Sequence, residues 1–252
     1  MEHLRKLFLL LFFGSVSVLA TFLLRNFILP MLAPVVFVAL TVWIADIIKK
    51  YGKAVGVLAA FLYIFFTFLT LNINYFPTIL ISVAMFSFPF FYNFEVEGRE
   101  LKAILKEMGV SRKNFLRNAA VGVAVAVFVL LPLIIIEALL ILHFKLEEPG
   151  RVADIAKELP LYILIFSFTF TPIAEEVCFR GFLLQRVGVF ISTLLFALAH
   201  FFYGSLIEFA ATFTAGLLFA LMRRRDSLIQ PIFAHAAFNF INAVVIIFYV
   251  RA

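Results

Sequence analysis

The chain has 252 residues, of which 65% are hydrophobic and 14% charged, and its formal net charge is +6. Soluble domains average about 25% charged residues, so a water-soluble globular fold is excluded and lipid is the natural solvent for this much apolar surface. The basic balance therefore reads as loop charge that orients a membrane protein, not as a nucleic-acid footprint. A single cysteine, Cys178, excludes an internal disulfide framework.

A span needs about 20 apolar residues. Taken in chain order, such stretches fall near 7–24, 27–47, 54–71, 75–92, 119–142, 161–178, 188–203, 205–222 and 228–250. The expectation is an all-α bundle of eight or nine transmembrane helices, the shortest stretches leaving the count open. The first stretch follows Arg5-Lys6 and is not closed by a small-x-small cleavage site, so it reads as a retained span.

Lysine and arginine set the orientation. With the N-terminus inside, sixteen of the 21 fall in inner segments and five in outer ones. The inner set counts Arg180 and Arg186 as loop charges between the sixth and seventh spans. The expected location is a prokaryotic cell membrane with a cytoplasmic N-terminus, and the partners expected are membrane lipid and a membrane-tethered substrate, without nucleic acid.

Between the fourth and fifth spans lies 93–118, with Leu101, Ile104, Leu105 and Met108 at helical spacing and charges opposite. This reads as an amphipathic helix on the cytoplasmic membrane surface. Polar groups at mid-helix depth concentrate after residue 119. The division expected is thus a scaffold, 1–118, and a chemical half, 119–252.

Ionisable groups inside a bilayer cost at least ~2.5–3.5 kcal/mol each and default to function. Three clusters stand out. In Thr171-Pro172-Ile173-Ala174-Glu175-Glu176-Val177-Cys178-Phe179-Arg180, Glu176 and Arg180 have the i, i+4 spacing of a helical ion pair. Glu175 points about 100° away and stays available. The second cluster is Phe196 with His200, and the third is His235 with Asn239, again four apart on one face. A lone His or Asn in an apolar helix is commonly interhelical glue. Three such clusters on successive helices, at similar depth, point instead to one hydrolytic site. On this reading Glu175 lies roughly 21 Å from the outer face, nearer the inner end of its helix.

Glu-Glu-x-x-x-Arg, Phe-x-x-x-His and His-x-x-x-Asn, in that order inside membrane helices, resemble the CPBP family, which includes the type II CAAX prenyl proteases and abortive-infection membrane proteins. The likeness covers roughly 119–250 and matches at Glu175, Glu176, Arg180, Phe196, His200, His235 and Asn239. It implies an intramembrane endopeptidase acting on a membrane-associated, C-terminally prenylated substrate. Glu175 and His200 would hold and activate the attacking water, while His235 and Asn239 would donate to the oxyanion. The family is often called metalloprotease. Glu175, His200 and His235 would supply a two-His, one-carboxylate zinc set, but no His-Glu-x-x-His signature is present and Asn239 suits oxyanion binding better, so a metal-free mechanism without cofactor is expected. Two other classes compete: a non-enzymatic binding or immunity protein, and a proton-coupled transporter, for which an inverted repeat would be the sign.

Overall fold

The computed structural model describes residues 2–23, 76–111, 113–144, 158–200, 206–225, 227–245 and 247–248. Every element among them is helical, and none is a strand. The helices are α1 (Glu2–Leu23), α2 (Phe76–Phe91), α3 (Leu101–Glu107), α4 (Phe115–Val125), α5 (Leu131–Phe144), α6 (Leu161–Glu176), α7 (Leu184–His200), α8 (Leu206–Arg225) and α9 (Ile229–Val245). The chain divides into two compact units, Leu9–Ala84 and the remainder, Met1–Phe8 with Met85–Ala252. The second unit carries every candidate site residue.

Among the described residues, three stretches are long and apolar enough to cross a bilayer: Thr78–Val96, Phe115–Leu133 and the 40-residue Leu161–His200. A shorter apolar helix, Ile229–Val245, joins them. Side chains such as Phe128 and Leu142 are 76% and 74% exposed, which suits acyl chains and would be unfavourable in water. The protein is an integral membrane protein. The expected spans at 27–47 and 54–71 lie outside the described residues, as does most of the outer segment 144–160.

The stretch Leu161–His200 corrects the sequence reading. Helix α6 was expected to end near 178, with Arg180 in a cytoplasmic loop. Instead the helix continues through a π-helical segment, Val177–Leu183, and into α7. Its direction breaks only at Gly188, whose φ of 80° and ψ of 175° are accessible to glycine and strained for other residues. Arg180 does not end the helix because its charge is taken up inside the protein. Glu175 accordingly sits mid-helix, with about 20 Å of helical rise on either side, and not toward the inner end.

The polar segment 93–118 also differs from the single surface helix expected. It comprises a π-helical end, Tyr92–Val96, then the seven-residue α3, a turn at Gly109, and the start of α4. The apolar face of α3 turns inward. Ile104 and Met108 pack with Phe8, Phe90, Phe94, Val177 and Leu228. Its charged groups are also engaged with protein. Arg186 donates to Glu97 at 2.7 Å and to Asn93 at 3.1 Å, and its guanidinium lies 3.8 Å from the Phe182 ring centroid. Arg223 donates to the Glu107 carbonyl at 2.6 Å, while the Gly109 carbonyl accepts from Ser227 Oγ at 3.1 Å. The segment thus ties the ends of α2, α6, α8 and α9 together.

In lipid, helices gain little from apolar burial and associate through close packing and hydrogen bonds. Helix α9 is held this way. Gly122 of α4 lets the backbones touch, since a Cβ there would collide with the Gln230 carbonyl oxygen. Beside it Gln230 donates to Asn118 at 3.1 Å in a buried pair. On its other side α9 packs against α6, and α8 packs against both α9 and α7. These contacts bring the three clusters to one place.

Candidate active site

Glu176 and Arg180 are both fully buried. Arg180 Nη1 donates to Glu176 Oε1 at 2.9 Å, as the i, i+4 spacing predicted. The guanidinium is further held by the Gly216 carbonyl, which accepts from Nη2 at 3.1 Å. It lies over Phe196 at 4.1 Å and Phe219 at 5.3 Å from the ring centroids, so aromatic faces replace much of the lost hydration. Gly216 makes this possible: a Cβ there would meet Phe196 at 2.9 Å and Arg180 Nη2 at 3.1 Å.

His235 reaches the same carboxylate from α9. Its Nδ1 lies 3.0 Å from Glu176 Oε1. A carboxylate oxygen accepts, so Nδ1 carries the proton. The ring stacks on Phe219 at 5.2 Å and meets Phe196 edge-on at 5.9 Å. Its other nitrogen, Nε2, is 3.8 Å from Glu175 Oε2, too long for a hydrogen bond. Glu175 Oε2 is buried and has no hydrogen-bond partner among the described residues. The two adjacent carboxylates differ in their partners: Glu176 Oε1 is occupied twice over, while Glu176 Oε2, like Glu175 Oε2, is buried without a hydrogen-bond partner among the described residues.

His200 ends α7. Its Nδ1 donates to the Phe196 carbonyl at 2.9 Å. Its ring sits 4.7 Å from Phe196. Both histidines thus rest against one phenylalanine. Asn239 Nδ2 donates to the Ser167 carbonyl of α6 at 2.8 Å, leaving its second amide hydrogen and its oxygen for other partners.

Among the described residues no three His, Cys, Asp or Glu side chains stand close enough to hold a metal ion. The zinc set of Glu175, His200 and His235 is not formed in this geometry. Cys178 is buried against Phe179 and Phe196, as expected of a packing residue.

Sequence reasoning singled out the seven residues described above but missed two neighbours and one contact. Phe219 walls both Arg180 and His235. The Ser167 carbonyl anchors Asn239. Glu176 bonds His235 as well as Arg180. Gly216 and Phe219, three apart on α8, carried a usable signal, because a small residue and an aromatic on one helix face describe a slot with a wall. The Ser167 contact had no sequence signal, since a backbone carbonyl has no residue signature.

Residues 157–241 match the family model described as Type II CAAX prenyl endopeptidase Rce1-like. The matched segment contains Glu175, Glu176, Arg180, Phe196, His200, His235 and Asn239, and it agrees with the resemblance carried by their motifs. No curated protein and no solved structure matches the chain.

Proposed function

We propose, with the family match over 157–241 as premise, that the protein is an intramembrane endopeptidase of the CAAX type that hydrolyses a peptide bond in a membrane-tethered, C-terminally prenylated polypeptide. The observation that carries the reading is the contrast between the two carboxylates. Glu176 Oε1 takes both Arg180 and His235; the second oxygen of each carboxylate is buried without a hydrogen-bond partner among the described residues, but it is Glu175 Oε2 that faces the uncommitted His235 Nε2, across 3.8 Å.

In this reading Glu175 removes a proton from water as its oxygen attacks the scissile carbonyl carbon. His200, at the end of α7, helps hold that water. The carbonyl oxygen becomes an oxyanion, stabilised in surroundings of low dielectric by the remaining Asn239 amide hydrogen and by His235 once its Nε2 has taken the proton from Glu175. Collapse breaks the carbon–nitrogen bond, and that proton passes from His235 to the leaving amine. No step calls for a metal. The bias of Lys and Arg favours a cytoplasmic N-terminus, which puts the basic end of α8 on the side where a prenylated cytoplasmic substrate would enter.

The test is cleavage of a panel of prenylated and unprenylated peptides by the purified protein. Glu175→Gln and His200→Ala should abolish turnover while leaving the melting temperature near that of the parent. Near-normal turnover in either variant would remove these residues from the chemistry. Absence of cleavage across the whole panel would count against the peptidase itself.

A further inference from the structure

We infer that Glu176 is a positioning residue for His235: it dictates which imidazole nitrogen faces the reacting groups. The consequence for catalysis rests on the peptidase reading above, but the geometry does not.

An i, i+4 pair with Arg180 would already satisfy the role the sequence gives Glu176. Yet its Oε1 also accepts from His235 Nδ1 at 3.0 Å, although the two residues are 59 apart in the chain. The two nitrogens of an imidazole lie on different edges of the ring. Once Nδ1–H is committed to Glu176, Nε2 must point elsewhere, and it is found 3.8 Å from Glu175 Oε2. The ring plane is set independently by Phe219, stacked at 5.2 Å and 23°, and by Phe196, edge-on at 87°. A half-turn of the ring within this slot would replace the Nδ1–H donor with a carbon and forfeit the bond to a fully buried carboxylate.

The result is a chain of fixed contacts. The Gly216 carbonyl holds Arg180, Arg180 holds Glu176, and Glu176 holds His235. Each member is buried, so the last is oriented before any substrate arrives. In the neutral ring Nε2 accepts, and it donates only after gaining a second proton. Glu175, which takes a proton from water in the reading above, is the group nearest to Nε2 able to supply one. Glu176 therefore decides that His235 exchanges protons with the site through Nε2 alone.

The test is nitrogen NMR of the full chain, labelled with 15N-histidine and reconstituted in nanodiscs, with the His235 signal assigned by its loss in His235→Gln. The parent should show His235 protonated at Nδ1. A double variant, Glu176→Leu with Arg180→Met, removes both charges together and so avoids stranding either one. It should show a mixture of tautomers and a kcat lowered at least about 100-fold with little change in KM. Finding the parent protonated at Nε2 only would overturn the inference without any variant. An unchanged tautomer and kcat in the folded double variant would do the same. Should the parent cleave nothing yet show the Nδ1 proton, and the double variant lose it, the peptidase reading fails and the positioning role stands.

Discussion

The Gly216 carbonyl oxygen of α8 accepts a hydrogen bond from Arg180 Nη2 at 3.1 Å, at a point where no side chain larger than hydrogen fits between the helices. Gly216→Ala should push Phe196 and the guanidinium apart. Overpacking of this kind costs about 1–3 kcal/mol. The expected outcome is a lower melting temperature together with a larger fall in turnover than Ala substitutions elsewhere on α8 produce. Parent-like stability and activity would mean that the slot has room to spare.

Arg180→Ala should damage folding as much as catalysis. It leaves Glu176 buried with its charge uncompensated, and breaking such a pair from one side costs about 3–5 kcal/mol. Yield and melting temperature in detergent measure this directly. The double replacement of Glu176 and Arg180 should be milder than Arg180→Ala alone, and additivity of the two single effects would argue against their coupling.

Activity is expected to survive extended treatment with a chelator such as 1,10-phenanthroline, and metal analysis of active protein should find no stoichiometric zinc. Loss of cleavage on chelation, restored by added zinc, would replace the water-activating carboxylate with a ligand role for Glu175.

The N-terminus and the caps of the helices around α3 are expected in the cytoplasm. In a Cys178→Ala background, cysteines at the exposed positions Lys106 and Arg224 should be protected from an impermeant thiol reagent in intact cells, whereas one at Glu148 should react. The reverse pattern would invert the topology.

Much of the site was legible because membrane burial is unforgiving. Few reasons other than chemistry keep Glu175, Glu176, His200, His235 and Asn239 in apolar helices, so their types and spacing stood out against the background. The i, i+4 pairing of Glu176 with Arg180 was readable for the same reason. What escaped was anything depending on how helices face one another. Arg180 looked like a loop charge because hydropathy treats arginine as a span terminator, and the partners that neutralise it come from two other helices as well as from its own. The segment 93–118 looked like a surface helix because its periodicity is real over Leu101–Glu107, and periodicity cannot say whether an apolar stripe meets lipid or the core at Phe94 and Val177. The carbonyls of Ser167 and Gly216 are invisible to any reading by residue type.

The π-helical segment Val177–Leu183 has one more consequence. A π turn accommodates one residue more than an α turn between its bonded groups. It therefore acts as a phase shifter within a single long rod. The portion bearing Glu175 and Glu176 is set against α9, while Arg186, beyond it, donates to Glu97 at 2.7 Å. A uniform α-helix could satisfy only one of these registers. Excising one residue between 177 and 183 would return the rod to a single pitch and turn its two ends by about 100° relative to each other. Either the carboxylates would swing away from His235, or the far end would lose its seat on α3. A one-residue deletion here should thus be far more damaging than any conservative substitution within the same seven residues.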